Sequence, residues 1–275
     1  MDTIDNASTL LAAGRVSAGQ QKVLRVDGEA PVYINANGTP NVVDFAAWEK
    51  WQPNPARKRA NILVSTLDSF IQYLDTHKEM GTIVVIKTGL NGNAPEFIST
   101  IDYHSMDVPG WREHTITLVL TLDHDWMAFQ EKDDQFMTQS EFAEFLDDNG
   151  VLFSSPSGAD LLELITNLEG HSNASIKSHV RLRDGTIRLT YDEEAGVKSK
   201  TTSQEVILPD TINLSVPVFV NGAPYPLKAR LRYQVGQGRV SFKLKLNRPQ
   251  DVVKTCLQDM ANILEEKTSI KPLWF

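Results

Sequence analysis

Between Leu227 and Leu246 apolar and cationic residues alternate along two runs that flank a glycine-rich turn. Leu227, Ala229, Leu231 and Tyr233 interleave with Lys228, Arg230 and Arg232; beyond Gly236-Gln237-Gly238, Phe242, Leu244 and Leu246 interleave with Lys243 and Lys245. Successive side chains of a strand point to opposite faces, so the pattern predicts a hairpin with one apolar and one cationic face. The apolar face needs a cover. From Pro249 onward Val252, Val253, Cys256, Leu257, Met260, Ile263 and Leu264 recur at helical spacing, which predicts an amphipathic helix lying on that sheet or on a neighbouring subunit.

The same period of two holds around Asp184-Gly185 and Asn221-Gly222, so residues 171–275 read as successive antiparallel hairpins rather than parallel βαβ units. Upstream the pattern is mixed. Residues 20–35 suggest two short strands around Asp27-Gly28, followed by a turn at Asn37-Gly38-Thr39-Pro40. Leu67, Phe70, Ile71 and Leu74 mark an amphipathic helix capped by Ser65 or Thr66, and strands are expected over 82–88, 97–104 and 114–122. Thr138 with Glu141 forms a capping-box pattern, and Met137 with Phe142 a hydrophobic staple; the helix that follows turns Phe142, Phe145 and Leu146 inward and leaves Glu144, Asp147 and Asp148 toward solvent or a partner. A further helix is expected from Ser155-Pro156 to Gly170, with Leu161, Leu162, Leu164, Ile165 and Leu168 apolar. The expected fold class is α+β: an acidic mixed α/β region over 1–170, then a basic antiparallel β-hairpin region over 171–275 closed by the C-terminal helix. The boundary in the polar stretch 169–175 is soft enough for both regions to form one compact unit.

Charge separates along that boundary. Residues 1–170 hold 11 Lys and Arg against 25 Asp and Glu, and residues 171–275 hold 16 against 10, within an overall charge of −8. Such asymmetry suits either complementary interaction surfaces or two solvated faces of different sign. Cys256 is the only cysteine, which excludes an intramolecular disulfide and points to a reducing cytoplasm. The Leu10-Leu11-Ala12-Ala13 patch follows Asp2 and Asp5 rather than a basic region, so neither a signal peptide nor a membrane anchor is expected, and no apolar run approaches a membrane span.

Asp102, His104 and His114, followed by Asp123, His124 and Asp125, are the residue types that ligate divalent ions or move protons near neutral pH. If strands 97–104 and 114–122 pair, Asp102 and His104 share a face and His114 approaches from the opposite strand. No HExxH or paired CxxC accompanies them, and strand ends commonly carry Asp and His as turn residues, so a structural role outweighs a metal site. There is no GxSxG, no glycine-rich phosphate cradle before a helix, and Cys256 falls on an apolar helix face. No catalytic residue and no cofactor are expected. Lys228, Arg230, Arg232, Lys243 and Lys245 would attract anions: solvent ions, an acidic patch on a second copy, or nucleic acid. Nucleic acid is not favoured, because the whole chain is acidic, Tyr233 lies on the apolar side, and no RNP-like or helix-turn-helix pattern is present. Trp48, Trp51, Trp111 and Trp274 belong to a residue type enriched in interface cores.

Several segments carry a resemblance in their order along the chain: Pro55-Ala56-Arg57, then Leu67 to Tyr73 (LDSFIQY), Tyr103-His104, the GWxEH element from Gly110 to His114, QSEFAEFLDDN from Gln139 to Asn149, LRDGTIRLTY from Leu182 to Tyr191, and ARLRYQVGQGRVSFKL from Ala229 to Leu244. Together they resemble the YfdQ-like family of uncharacterised bacteriophage and prophage proteins. The resemblance implies a phage-encoded protein of the host cytoplasm and brings no activity and no catalytic residue. Opposite charge in the two regions, several amphipathic elements and the tryptophans Trp48, Trp51, Trp111 and Trp274 give the expected function: non-enzymatic self-assembly into a homo-oligomer, for which a ring or shell is one form. The alternatives are an early-region nucleic-acid-binding accessory protein and a metal-dependent hydrolase using the Asp/His group.

Overall fold

Three short β runs open the chain: Lys22–Leu24 (β1), Val32–Ile34 (β2) and Pro40–Val42 (β3) form an antiparallel sheet in the order β1-β2-β3. The computed structural model describes residues 22–24, 32–34, 40–42, 53–55, 57–89, 94–169, 175–181, 187–193, 202–236 and 239–275. The chain divides into two units, 1–58 and 59–275. The position 170/171, where composition changes, lies inside the second unit.

That unit begins with Ala60–Val64 (β4), the helix Leu67–His77 (α1), and strands Ile83–Lys87 (β5), Glu96–Thr100 (β6) and His114–Val119 (β7). Thr66 caps α1, its Oγ1 accepting the Ser69 N–H at 3.3 Å, and Phe70, Ile71 and Leu74 are buried. Alternation buries Val84, Ile86, Phe97, Ile116 and Leu118 on one side of the strands, where Phe70 meets Phe97 edge-on at 6.3 Å. Strand β6 stops at Thr100 rather than running to His104, because the Asp102 carboxylate accepts the N–H groups of Glu113 and His114 at 2.9 Å each in place of a strand ladder.

Helix His124–Glu131 (α2) is capped by Asp123, which accepts the Asp125 N–H at 2.9 Å. Met137–Thr138 (β8) leads into Gln139–Asn149 (α3), where both halves of the capping box form: Thr138 Oγ1 accepts the Glu141 N–H and Glu141 Oε2 accepts the Thr138 N–H at 2.7 Å. Phe153–Ser155 (β9) is a strand, so the next helix starts later than Ser155-Pro156, at Gly158–Glu169 (α4), with Ser157 Oγ accepting the Asp160 N–H. Gly158 crosses Gly150 so closely that a Cβ on it would lie 2.4 Å from the Gly150 Cα. Then follow Ser175–Arg181 (β10), Ile187–Glu193 (β11), Thr202–Leu208 (β12), Thr211–Pro217 (β13), Pro224–Gly236 (β14), Arg239–Leu246 (β15), Pro249–Thr268 (α5) and Leu273–Trp274 (β16).

Strands β10-β11-β12 make a three-stranded antiparallel sheet. Two five-stranded sheets complete the unit, one mixed in the order β16-β5-β6-β7-β4 and one wholly antiparallel in the order β8-β15-β14-β13-β9. In the mixed sheet both edge strands, β16 and β4, pair in parallel. The fold is α+β, with antiparallel hairpins and a long C-terminal helix. Helix α5 packs against α1 on one side and β14 on the other, burying Cys256, Leu257, Ala261 and Leu264. Ile263, expected on its inner face, is 40% exposed, and Ala261 takes the inner position. Among the described residues no helix is long and apolar enough to cross a membrane.

Candidate interaction surface

The register of the antiparallel sheet decides what its outer face offers. Leu227, Ala229 and Leu231 on β14 and Val240, Phe242, Leu244 and Leu246 on β15 are buried, so the residues between them turn outward. Arg230 stands opposite Lys245 and Arg232 opposite Lys243, while Lys228 stands opposite Asn213 of β13. Five cations thus share one open face. Like charges directly opposite one another are unfavourable, and two carboxylates offset part of the repulsion. Asp134 receives Lys243 Nζ at 2.5 Å and Lys245 Nζ at 3.0 Å, and Asp210 lies 3.7 Å from Arg232. Hydrogen bonds from Lys243 and then Lys245 hold the Asp134 carboxyl below its ordinary range. Lys243 also stands 4.8 Å above the Phe136 ring. The side chains of Lys228 and Arg230 are exposed and make no hydrogen bond or ion pair among the described residues.

The loop that supplies Asp134 is clipped to the sheet by its own backbone. The Asp134 N–H reaches the Leu244 carbonyl at 2.8 Å, the Asp133 carboxylate accepts the Leu246 N–H at 2.8 Å, and Asp134 adopts a left-handed φ of 56°. The inner face of the sheet carries α3, whose Phe142 ring stacks on Phe242 at 5.3 Å. With Phe142, Phe145 and Leu146 buried, the far side of α3 presents Glu144, Asp147 and Asp148 to solvent. A depression of about 350 Å³ beside it is lined by Glu141, Glu144 and Asp148 with Phe136 and one cation, Lys132, among others. The antiparallel sheet and α3 therefore make a two-layer slab, cationic on one outer surface and acidic on the other.

Asp102, His104 and His114 serve different bonds. Both Asp102 oxygens take backbone N–H groups; burial opposes its ionisation, but those bonds outweigh it and keep the carboxyl below its ordinary range. His104 Nδ1 accepts the Gly110 N–H at 3.0 Å across a loop so tight that a Cβ on Gly110 would lie 2.1 Å from the Asp102 carbonyl oxygen. His114 is buried, sharing a 2.7 Å hydrogen bond between its Nε2 and the Tyr73 hydroxyl, with the His77 ring 5.6 Å away. Among the described residues no three His, Cys, Asp or Glu side chains converge to hold a metal ion.

Trp48 and Trp51 lie outside the described residues. Trp111 is 66% exposed in the loop before β7, and Trp274 is 41% exposed on β16, three strands away across the mixed sheet, so the two do not form one patch. Sequence reasoning missed Asp134 and Asp210. Asp134 sits 111 residues from Lys245, and no local pattern signals such a pairing. Half-buried Tyr225 on β14 and buried Cys256 on α5 are neighbours and chemically quiet: burial first, then the neighbouring Cys256 and Asp259, raises the Tyr225 hydroxyl, and burial raises the Cys256 thiol.

Comparison with curated proteins and with solved structures finds no match. A family model described as "Uncharacterized conserved protein (DUF2303)" matches residues 6–274. With nearly its whole length covered, the chain belongs to the DUF2303 family.

Proposed function

We propose that this protein is phage- or prophage-encoded, acts in the cytoplasm of the bacterial host, and works by assembling with copies of itself rather than by catalysis. The resemblance to YfdQ-like proteins supports the phage origin. One observation carries the assembly reading: in a chain of net charge −8, Lys228 and Arg230 stand exposed and unpaired among the described residues on a sheet that already sets like charges opposite one another. Among the described residues an acid reaches Arg232, Lys243 and Lys245 but not these two. A surface kept cationic against its own repulsion favours an anionic partner surface.

Nucleic acid is the second reading, and the same face supports it less well. Three of its five cations already have carboxylate partners, and the aromatic residues of β14 and β15 lie on the inner face. Light scattering of the purified full chain tests the assembly reading. The mass is expected well above 30.7 kDa at low salt and smaller at high salt, because exposed ion pairs are screened over about 8 Å at physiological ionic strength. A mass of 30.7 kDa at micromolar concentration in low salt overturns it.

A further inference from the structure

We infer that the cationic sheet face docks on the acidic α3 face of a second copy, so that subunits stack head to tail. This rests on the assembly reading and names the two surfaces that meet. The geometry follows from the slab. Because α3 packs its Phe142 side on the inner face of the sheet, its Glu144, Asp147 and Asp148 face away from Lys228 and Arg230. The sheet cations and the α3 carboxylates, on opposite outer surfaces of the two-layer slab, cannot neutralise each other within a chain. They can do so only between copies, and each contact leaves one cationic and one acidic surface free for the next.

Such a contact joins unlike surfaces, so it differs from a two-fold dimer, in which one patch meets itself. Repetition closes into a ring where the rotation allows it and otherwise gives a filament. Lys228 and Arg230 supply the cations that no acid among the described residues occupies, and Glu144 and Asp148, one helical turn apart on α3, supply the facing carboxylates. Nucleic acid would use the sheet face alone and leave α3 without a role, which separates the two readings experimentally.

The test is reciprocal charge reversal in the full chain, read by light scattering at low salt. Lys228→Glu/Arg230→Glu and Glu144→Lys/Asp148→Lys are each expected to run at 30.7 kDa. Mixing the two variants, or combining all four changes in one chain, should restore the mass of the starting protein, because unlike surfaces then face each other again. The milder Lys228→Gln/Arg230→Gln variant, with an unchanged thermal unfolding midpoint, guards against loss of fold and is expected to lower the mass as well. If the starting protein assembles but neither the mixture nor the fourfold variant does, the head-to-tail contact is wrong and the assembly reading stands. If it stays at 30.7 kDa and gains mass only with a single-stranded oligonucleotide, both are wrong.

Discussion

The two five-stranded sheets of residues 59–275 are built alike on the inside and differently on the outside. Each buries one face by strict alternation, with Phe97, Ile116 and Leu118 in the mixed sheet and Phe242, Leu244 and Leu231 in the antiparallel one. Across the outer face of the mixed sheet, Leu63, Thr117, Ile98, Val85 and Leu273 stand in register as one uncharged row running from edge to edge. The corresponding row of the antiparallel sheet is Thr211, Arg230 and Lys245. Burial decides the identity of inward residues almost regardless of use. Outward residues are free to vary, and it is there that the two sheets diverge in charge.

The largest effects should be the ones the sheets share. Phe97→Ala and Phe242→Ala each remove a fully buried ring and should each cost about 3–5 kcal/mol by urea denaturation. A much smaller loss for Phe242→Ala would break the equivalence of the inner faces. An intermediate effect is expected where the mixed sheet spends a charge on its own backbone. Asp102→Ala strips the acceptor from two N–H groups, a cost of about 1–3 kcal/mol. Because the folded Asp102 carboxyl lies below its ordinary value, its contribution is present above about pH 4 and is lost as pH falls through the lower folded value. The acid limb of the stability curve should therefore flatten in Asp102→Ala, and an unchanged limb would remove the carboxylate from the account of that loop. The smallest effect belongs to the cationic face. Lys228→Gln and Arg230→Gln should stay within about 0.5 kcal/mol of the starting stability, with Arg230→Gln on the favourable side because it relieves Lys245. A loss beyond about 1 kcal/mol would mean that these cations hold the fold together and are not reserved for a partner.

What was legible in the sequence was local or periodic. The hairpin β14–β15 follows from alternation around a glycine turn, α3 from the Thr138/Glu141 cap, and α1 from the spacing of Phe70, Ile71 and Leu74. Strands β8, β9 and β16 were not legible, since two or three residues carry too little period to register and their partners lie far along the chain. Extending β6 to His104 failed for a specific reason: Asp102 takes over hydrogen bonds that a strand would otherwise have made, a choice invisible to a count of apolar positions. The candidate surface was half legible. Alternation placed its five cations, but the acids that occupy three of them come from a loop and a turn that only the folded chain brings near.

Helix α5 and strand β16 have a consequence for how the protein can be made. α5 lies against both α1 and β14, and β16 then adds the edge strand beside β5, where the Phe275 N–H bonds to the Ile86 carbonyl and the Thr88 N–H to that of Phe275. The segment that serves both sheets is thus translated after all their other strands. Until Pro249–Trp274 has left the ribosome, β14 lacks the helix that packs on it and β5 lacks its edge partner, so neither sheet is complete ahead of the other. Synthesis that halts before Pro249 would release a chain with an unfinished core, a direct substrate for chaperones and proteases.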